Sequence, residues 1–262
     1  MNTVRTSVSA LFLAVCVLSA QETREIKKTV ALAKDGQVTI DTYKGSVKVE
    51  TWDKAEVDIV ATIEADGWDR YAEEKVGDTE VRIREVPGSV RITTDYDRVK
   101  KHSSGFFDWF DGNTGNLPFV HYSVRIPSTA RLKIKDYKSE IDVRNLHADL
   151  DLNTYKGSVE ISGMNGGVEL ETYKGTCRVE FASFASPSSF GTSKGEINLV
   201  LPKSASFDLD AELGRKGDFD SDFTTVTSSR SRRRAEYSGP VNGGGPALRL
   251  RTDKGEFRLV SR

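Results

Sequence analysis

The chain has 262 residues, 37% of them hydrophobic and 29% charged, and counting its 22 glycines as apolar brings it to the globular average, which excludes a disordered chain. Lys and Arg number 38 against 39 Asp and Glu, so no net field draws in nucleic acid or an anionic membrane. Two cysteines and three histidines are too few for a zinc cluster or a disulfide framework. The length suits one large all-β domain or two small ones.

Residues 1–20 carry one basic residue, Arg5, an apolar run from Val8 to Leu18, and a small-residue end at Ser19-Ala20. That is the layout of a secretory signal peptide cleaved after Ala20. The run falls short of the ~20 residues that span a bilayer. Leu13-Ala14-Val15-Cys16 also looks like a lipoprotein box that would place a lipid anchor on Cys16, although Val15 stands where a small residue is wanted. Either way the chain is expected to be exported, to the periplasm or surface of a bacterium, with no transmembrane segment in its mature part.

Period-2 alternation then predicts strands over 28–32, 37–41, 46–50 and 56–63, a short helix over 69–76, and strands over 80–85 and 89–94 across a Pro87-Gly88 turn. Segment 98–119 reads as a loop. Its Phe106, Phe107, Trp109 and Phe110 either fold back to cap a stack or form an exposed contact tip.

One short motif recurs along the chain. Thr42-Tyr43-Lys44-Gly45-Ser46-Val47 returns as Thr154-Tyr155-Lys156-Gly157-Ser158-Val159, Thr172-Tyr173-Lys174-Gly175-Thr176-Cys177, Thr192-Ser193-Lys194-Gly195-Glu196-Ile197 and Thr252-Asp253-Lys254-Gly255-Glu256-Phe257. Weaker copies sit at Asp136-Tyr137-Lys138-Ser139 and Arg215-Lys216-Gly217. From Lys138 onward the motif returns after roughly 18–22 residues, with one wider gap before Lys254 that has room for two units. An alternating strand flanks the motif on each side, so each unit is two short strands and two corners. Leu146 and Met164, at equivalent corners, are expected to plug the core, and Trp52 occupies the matching earlier slot. One unit cannot bury its own apolar face, so neighbours must stack. The fold class expected is all-β, a β-solenoid or β-helix-like stack or a pair of packed sheets, with a diverged N-terminal β region and at most one short helix. The organisation expected is 1–20 signal peptide, 21–122 diverged β region, and 123–262 repeat array.

Stacking would align Tyr43, Tyr137, Tyr155 and Tyr173 into an aromatic ladder beside Lys44, Lys138, Lys156 and Lys174. Such a row could serve as a platform for an acidic polysaccharide, with tyrosine giving CH–π contact and lysine giving charge. The plainer reading is that tyrosine covers the corner while lysine solvates it and discourages edge pairing. Arg230, Arg232, Arg233 and Arg234 lie in a loop-like stretch and offer either a solvated loop or a contact for an anionic surface polymer. Cys177 fills a slot taken elsewhere by Val, Ile or Phe and reads as a core residue. No metal, cofactor or nucleophile motif is present.

Tyr122-Ser123-Val124-Arg125-Ile126-Pro127, Leu132-Lys133-Ile134, the strand–Lys-Gly–strand units and the closing Leu250-Arg251-Thr252-Asp253-Lys254-Gly255 together resemble the bacterial "putative adhesin" β-strand-repeat family. The resemblance implies an exported domain of unknown function associated with the cell envelope. It carries over no catalytic residues. Three functions remain in view: a non-enzymatic surface module that binds glycan or an envelope protein, an accessory of envelope-stress signalling, and a polysaccharide-active β-helix enzyme.

Overall fold

A computed structural model of the protein describes residues 23–67, 71–102, 117–224, 227–230 and 234–262. The leader with Cys16, and Phe106, Phe107, Trp109, Phe110, Arg232 and Arg233, lie outside them. The N-terminal part contains β1 (Thr23–Ala31), β2 (Gln37–Asp41), β3 (Lys44–Trp52), β4 (Glu56–Glu64), helix α1 (Ala72–Asp78), β5 (Glu80–Val86), β6 (Ser89–Asp95) and helix α2 (Asp97–His102). After these come β7 (Phe119–Pro127), β8 (Arg131–Arg144), β9 (Leu150–Met164), β10 (Val168–Phe181), β11 (Ser188–Thr192), β12 (Glu196–Leu201) and β13 (Phe207–Gly214). The chain closes with β14 (Asp218–Ser221), β15 (Thr227–Arg230), β16 (Arg234–Val241), β17 (Ala247–Thr252) and β18 (Glu256–Ser261).

Among the described residues the protein is all-β apart from two short helices. The second, α2, corrects the expectation of one helix at most. Its basic residues read as loop, yet the Asp95 carboxylate accepts the Asp97 N–H at 2.7 Å and opens the turn, and Val99 is buried beneath it. Arg and Lys are good helix formers once such a start exists.

The strands pair in parallel and in register at the repeat. Lys138 lies opposite Lys156, and Lys156 opposite Lys174, with pairing continued on both sides of the corner. β2 and β3 join β8 in the same way, so Lys44 lies opposite Lys138. Every second side chain therefore stacks into a column. One column runs Ile92, Ile40, Ile134, Leu152, Leu170, Phe190, Leu250, and another runs Val47, Ile141, Val159, Cys177, Ile197, Phe257. All these residues are at most 2% exposed and belong to one hydrophobic core. Leu146 and Met164 are fully buried at their corners, as their spacing suggests. Trp52 is not: β3 turns back at once into antiparallel β4, and the indole lies half-buried between Lys54 and Arg125 with its Nε1–H donated to the Glu56 carbonyl at 2.8 Å.

Spatial order departs from chain order at the C-terminal end. β17 and β18 lie between β11/β12 and β13/β14, so the copy around Lys254 stacks on that around Lys194 and the copy around Lys216 follows it. Among its described residues the wide gap before Lys254 holds no further two-strand unit. It is filled by β15 and β16, which add antiparallel pairs onto β13.

Rungs meet closely at the Lys-Gly corner. Gly157 has φ of +148°, and a Cβ there would fall inside contact distance of the Ser139 carbonyl. Gly175 stands in the same relation to Gly157. Both the backbone conformation and the space demand glycine. Gly157→Ala should destabilise the protein by ~2 kcal/mol or more in urea unfolding. Gly77→Ala, in α1 with open space around it and no positive φ, should be neutral or stabilising by up to ~1 kcal/mol; equal effects at the two positions would contradict the close-approach account. Burial pushes the Cys177 thiol up to about 12. Cys177→Asp, which places an unpaired carboxylate between Val159 and Ile197, should cost ~3 kcal/mol or more, and an unchanged urea midpoint would place that strand face on the outside.

Candidate functional site

The corner turns register into surface rows. Tyr43 and Tyr137 stack with centroids 4.7 Å apart, Tyr137 and Tyr155 at 4.9 Å, and Tyr155 and Tyr173 at 4.8 Å, all within 9° of parallel. The ladder inferred from spacing is therefore present. Its geometry limits what it can bind, because each interior ring spends both faces on its neighbours. Tyr137 and Tyr155 show only edges and hydroxyls to solvent, each 37% exposed. At one end Tyr96 closes the stack edge-on against Tyr43 at 6.2 Å. At the other end the outer face of Tyr173 has no aromatic neighbour among the described residues; Lys194 Nζ stands 5.0 Å from its centroid. The Lys194 ammonium beside the Tyr173 hydroxyl lowers that hydroxyl's pKa.

The lysine row is longer than the tyrosine ladder. Lys138, Lys156 and Lys174 continue into Lys194, Lys254 and Lys216 through rung-to-rung backbone contacts, and all of them are exposed. None forms an ion pair among the described residues. Lys44 leaves the row. It is buried, pairs with Asp66 at 2.7 Å and lies 4.2 Å over the Phe119 ring. On the outer sheet faces the charges are matched instead: Arg178 reaches Glu160 at 3.5 Å, Arg258 reaches Asp220 at 3.6 Å, and Lys133 pairs with Asp151. Carboxylates stand two positions beyond the lysines at Glu140, Glu196, Glu256 and Asp218, whereas Lys156 and Lys174 face Ser158 and Thr176.

Inside the corner runs a column of Thr42, Asp136, Thr154, Thr172, Thr192 and Thr252, of which Asp136 is half-buried and the threonines are buried. Thr192 and Thr252 accept the N–H groups of Gly195 and Gly255 at 2.8 and 2.7 Å. In the weaker copy, Asp136 replaces threonine and Ser139 replaces glycine together. The carboxylate accepts the Ser139 N–H at 2.9 Å, its hydroxyl at 2.6 Å and the Thr154 hydroxyl at 2.8 Å. Ser139 has no positive φ, which is why a side chain fits there.

A groove of about 590 Å³ begins where the tyrosines end. Tyr173, Glu171, Gly191, Ser193, Arg251 and Asp253 line its middle. Burial and nearby Glu169 hold the Glu171 carboxyl above the usual range, with Arg251 opposing. Arg234, which opens β16, lies at the far end, and Arg230 ends β15. The sequence flagged neither Glu171 nor Arg251; the signal was the break of the tyrosine column at Ser193. On β14, Asp220 faces Arg258, and just beyond the strand Asp222 accepts the Ser261 N–H at 2.9 Å. No helix among the described residues is long and apolar enough to cross a membrane.

Residues 12–259 match the family described as Toastrack DUF4097, a domain of unknown function. The chain belongs to this family. Among solved structures it is similar to a "putative cell adhesion protein" from Clostridium sporogenes, at 11% identity over 92% of this chain and 100% of that one, with a TM-score of 0.53. It is also similar to a "putative adhesin" from Bacteroides fragilis, at 12% identity over 91% and 97% of the two chains, with a TM-score of 0.44. At these identities the first likeness speaks for a shared all-β fold. No curated protein matches the chain.

Burial raises the Asp136 pKa against its hydrogen bonds. A carboxyl raised on folding favours the native state below its unfolded value of 3.8, and that contribution is lost as pH climbs through the native value. Asp136→Asn should therefore fall furthest behind the wild type near about pH 3 and less so near about pH 7 in urea unfolding. A pH-independent difference would contradict the assignment.

Proposed function

We propose that this protein is an exported, non-enzymatic binding module of a bacterial cell envelope, a β-solenoid-like stack that holds an acidic glycan along its lysine corner. The observation that carries this reading is the contrast between ion-paired sheet faces and a corner row of exposed lysines with no ion-pair partner among the described residues. Paired surface charges neutralise each other locally, whereas a row at ~4.8 Å spacing sums its potential along a line and suits a linear polyanion. The Lys156 and Lys174 rungs, with hydroxyls and not carboxylates beyond them, are the centre of that patch. The tyrosines contribute a rigid wall and hydroxyl groups, not the broad CH–π platform expected from spacing. The signal-like first twenty residues and the adhesin designations of the structural neighbours support export and a surface role.

The test is titration of the purified protein with polygalacturonate and with neutral dextran. Polygalacturonate should bind and weaken with added salt, and Lys156→Gln with Lys174→Gln should weaken it about tenfold, ~1.4 kcal/mol. Lys133→Gln, which breaks a pair away from the corner, should leave binding unchanged. Equal binding of both polymers, or indifference to the corner variants, would refute the proposal.

A further inference from the structure

The tyrosine ladder ends at a groove that Tyr155 and Tyr173 both line, and the outer face of its last ring has no aromatic neighbour among the described residues. In the next rungs the tyrosine position is occupied by Ser193 and then Asp253, so the column continues as a trough floored by Thr192 and Thr252. Across the trough, Glu171 lies on one side and Arg251 on the other, with Gly191 between them. A side chain at Gly191 would collide with the Glu171 carboxylate, so the glycine lets that carboxylate lie over the groove floor.

We infer that this groove is a binding slot for a single pyranose ring, seated on the outer face of Tyr173 as the fifth member of the stack. The inference rests on the glycan reading above and locates one sugar of such a chain. An aromatic face flanked by hydrogen-bonding groups of both kinds suits a sugar, whose C–H face is apolar and whose rim is hydroxyl. Glu171 and Asp253 accept from hydroxyls, and Arg251 donates. The charges around the slot are mixed: Glu171, Glu212 and Asp253 stand against Arg251, Arg234 and Lys194, with Arg251 3.8 Å from Glu212. That balance asks for hydroxyls in the slot and leaves anionic groups to the lysine row. Lys194 stands over the Tyr173 face and beside its hydroxyl, but it is exposed, has no carboxylate partner among the described residues and sits on a flexible four-carbon stem, so a ring can displace it.

The decisive variant is Ser193→Tyr, which restores the Thr-Tyr-Lys-Gly motif and fills the slot with protein. Methyl glycosides of glucose, galactose, mannose, N-acetylglucosamine and glucuronic acid would be titrated into the purified protein by saturation-transfer NMR, at up to about 50 mM. At least one should saturate, and Ser193→Tyr, at an unchanged or raised melting temperature, should weaken it about tenfold or more. Arg251→Gln, which needs no new packing, should weaken it as well and decides the matter if Ser193→Tyr misfolds. No saturable glycoside, or full binding in the folded Ser193→Tyr or Arg251→Gln protein, would overturn the slot. If polygalacturonate binding falls with Lys156→Gln and Lys174→Gln while no glycoside saturates, the row stands and the slot is gone. If glycoside binding is lost in Ser193→Tyr while polygalacturonate ignores the lysines, the slot stands and the row is gone.

Discussion

At the corners of Gly157, Gly175, Gly195 and Gly255 one rung passes so near its neighbour that only a hydrogen fits on the α-carbon. That contact sets the register, and the register sets almost everything else. Once Gly157 is seated against Ser139 and Gly175 against Gly157, every residue before and after the corner lies over its counterpart at the strand spacing of ~4.8 Å. Aliphatic residues then become core columns, tyrosines a stack and lysines a line. Stacked lysines repel one another by only ~1 kcal/mol or less in water, so the line is tolerable at the surface. Where the corner admits a side chain, at Ser139, a carboxylate takes over the hydrogen bonds that a threonine serves elsewhere.

Much of this was legible because it is local. The Lys-Gly period, the alternation around it and the apolar residues at 146 and 164 each specify their own environment, and the strands, plugs and ladder follow. Three things were not legible, two of them because they are not local. The burial of Lys44 depends on Asp66 and Phe119, remote in sequence and brought beside it by the fold. The start of α2 depends on a carboxylate at Asp95 that looks like the end of a strand. The order of the last rungs depends on which partner each strand finds, and a repeat makes all partners look alike.

The candidate site shows the same division. Spacing identified the tyrosines and lysines as rows, but the use of a ring depends on its orientation, and face-to-face stacking withdraws every ring face except the last. Ser193 was visible as a departure from the motif. Its meaning appeared only when Tyr173 was seen on one side and Arg251 on the other, since Arg251 arrives from the far end of the chain. A motif that fails in one copy is thus as informative as one that holds. The sheet faces, with Arg178, Arg258 and Lys133 each matched to a carboxylate, provide the contrast against which both the row and the groove stand out.

The placement of β17 and β18 between β11/β12 and β13/β14 governs how the molecule can be made. Strands β8 to β10 can assemble in the order they emerge, each newcomer finding its neighbour already in place. Beyond β12 this ceases: β13 and β14 emerge before β17 and β18, the strands that join them to the rest of the stack. Assembly can therefore be zipper-like from β8 to β10, whereas β13 and β14 join the stack only together with β17 and β18, a long-range closure that leaves their edges open longer.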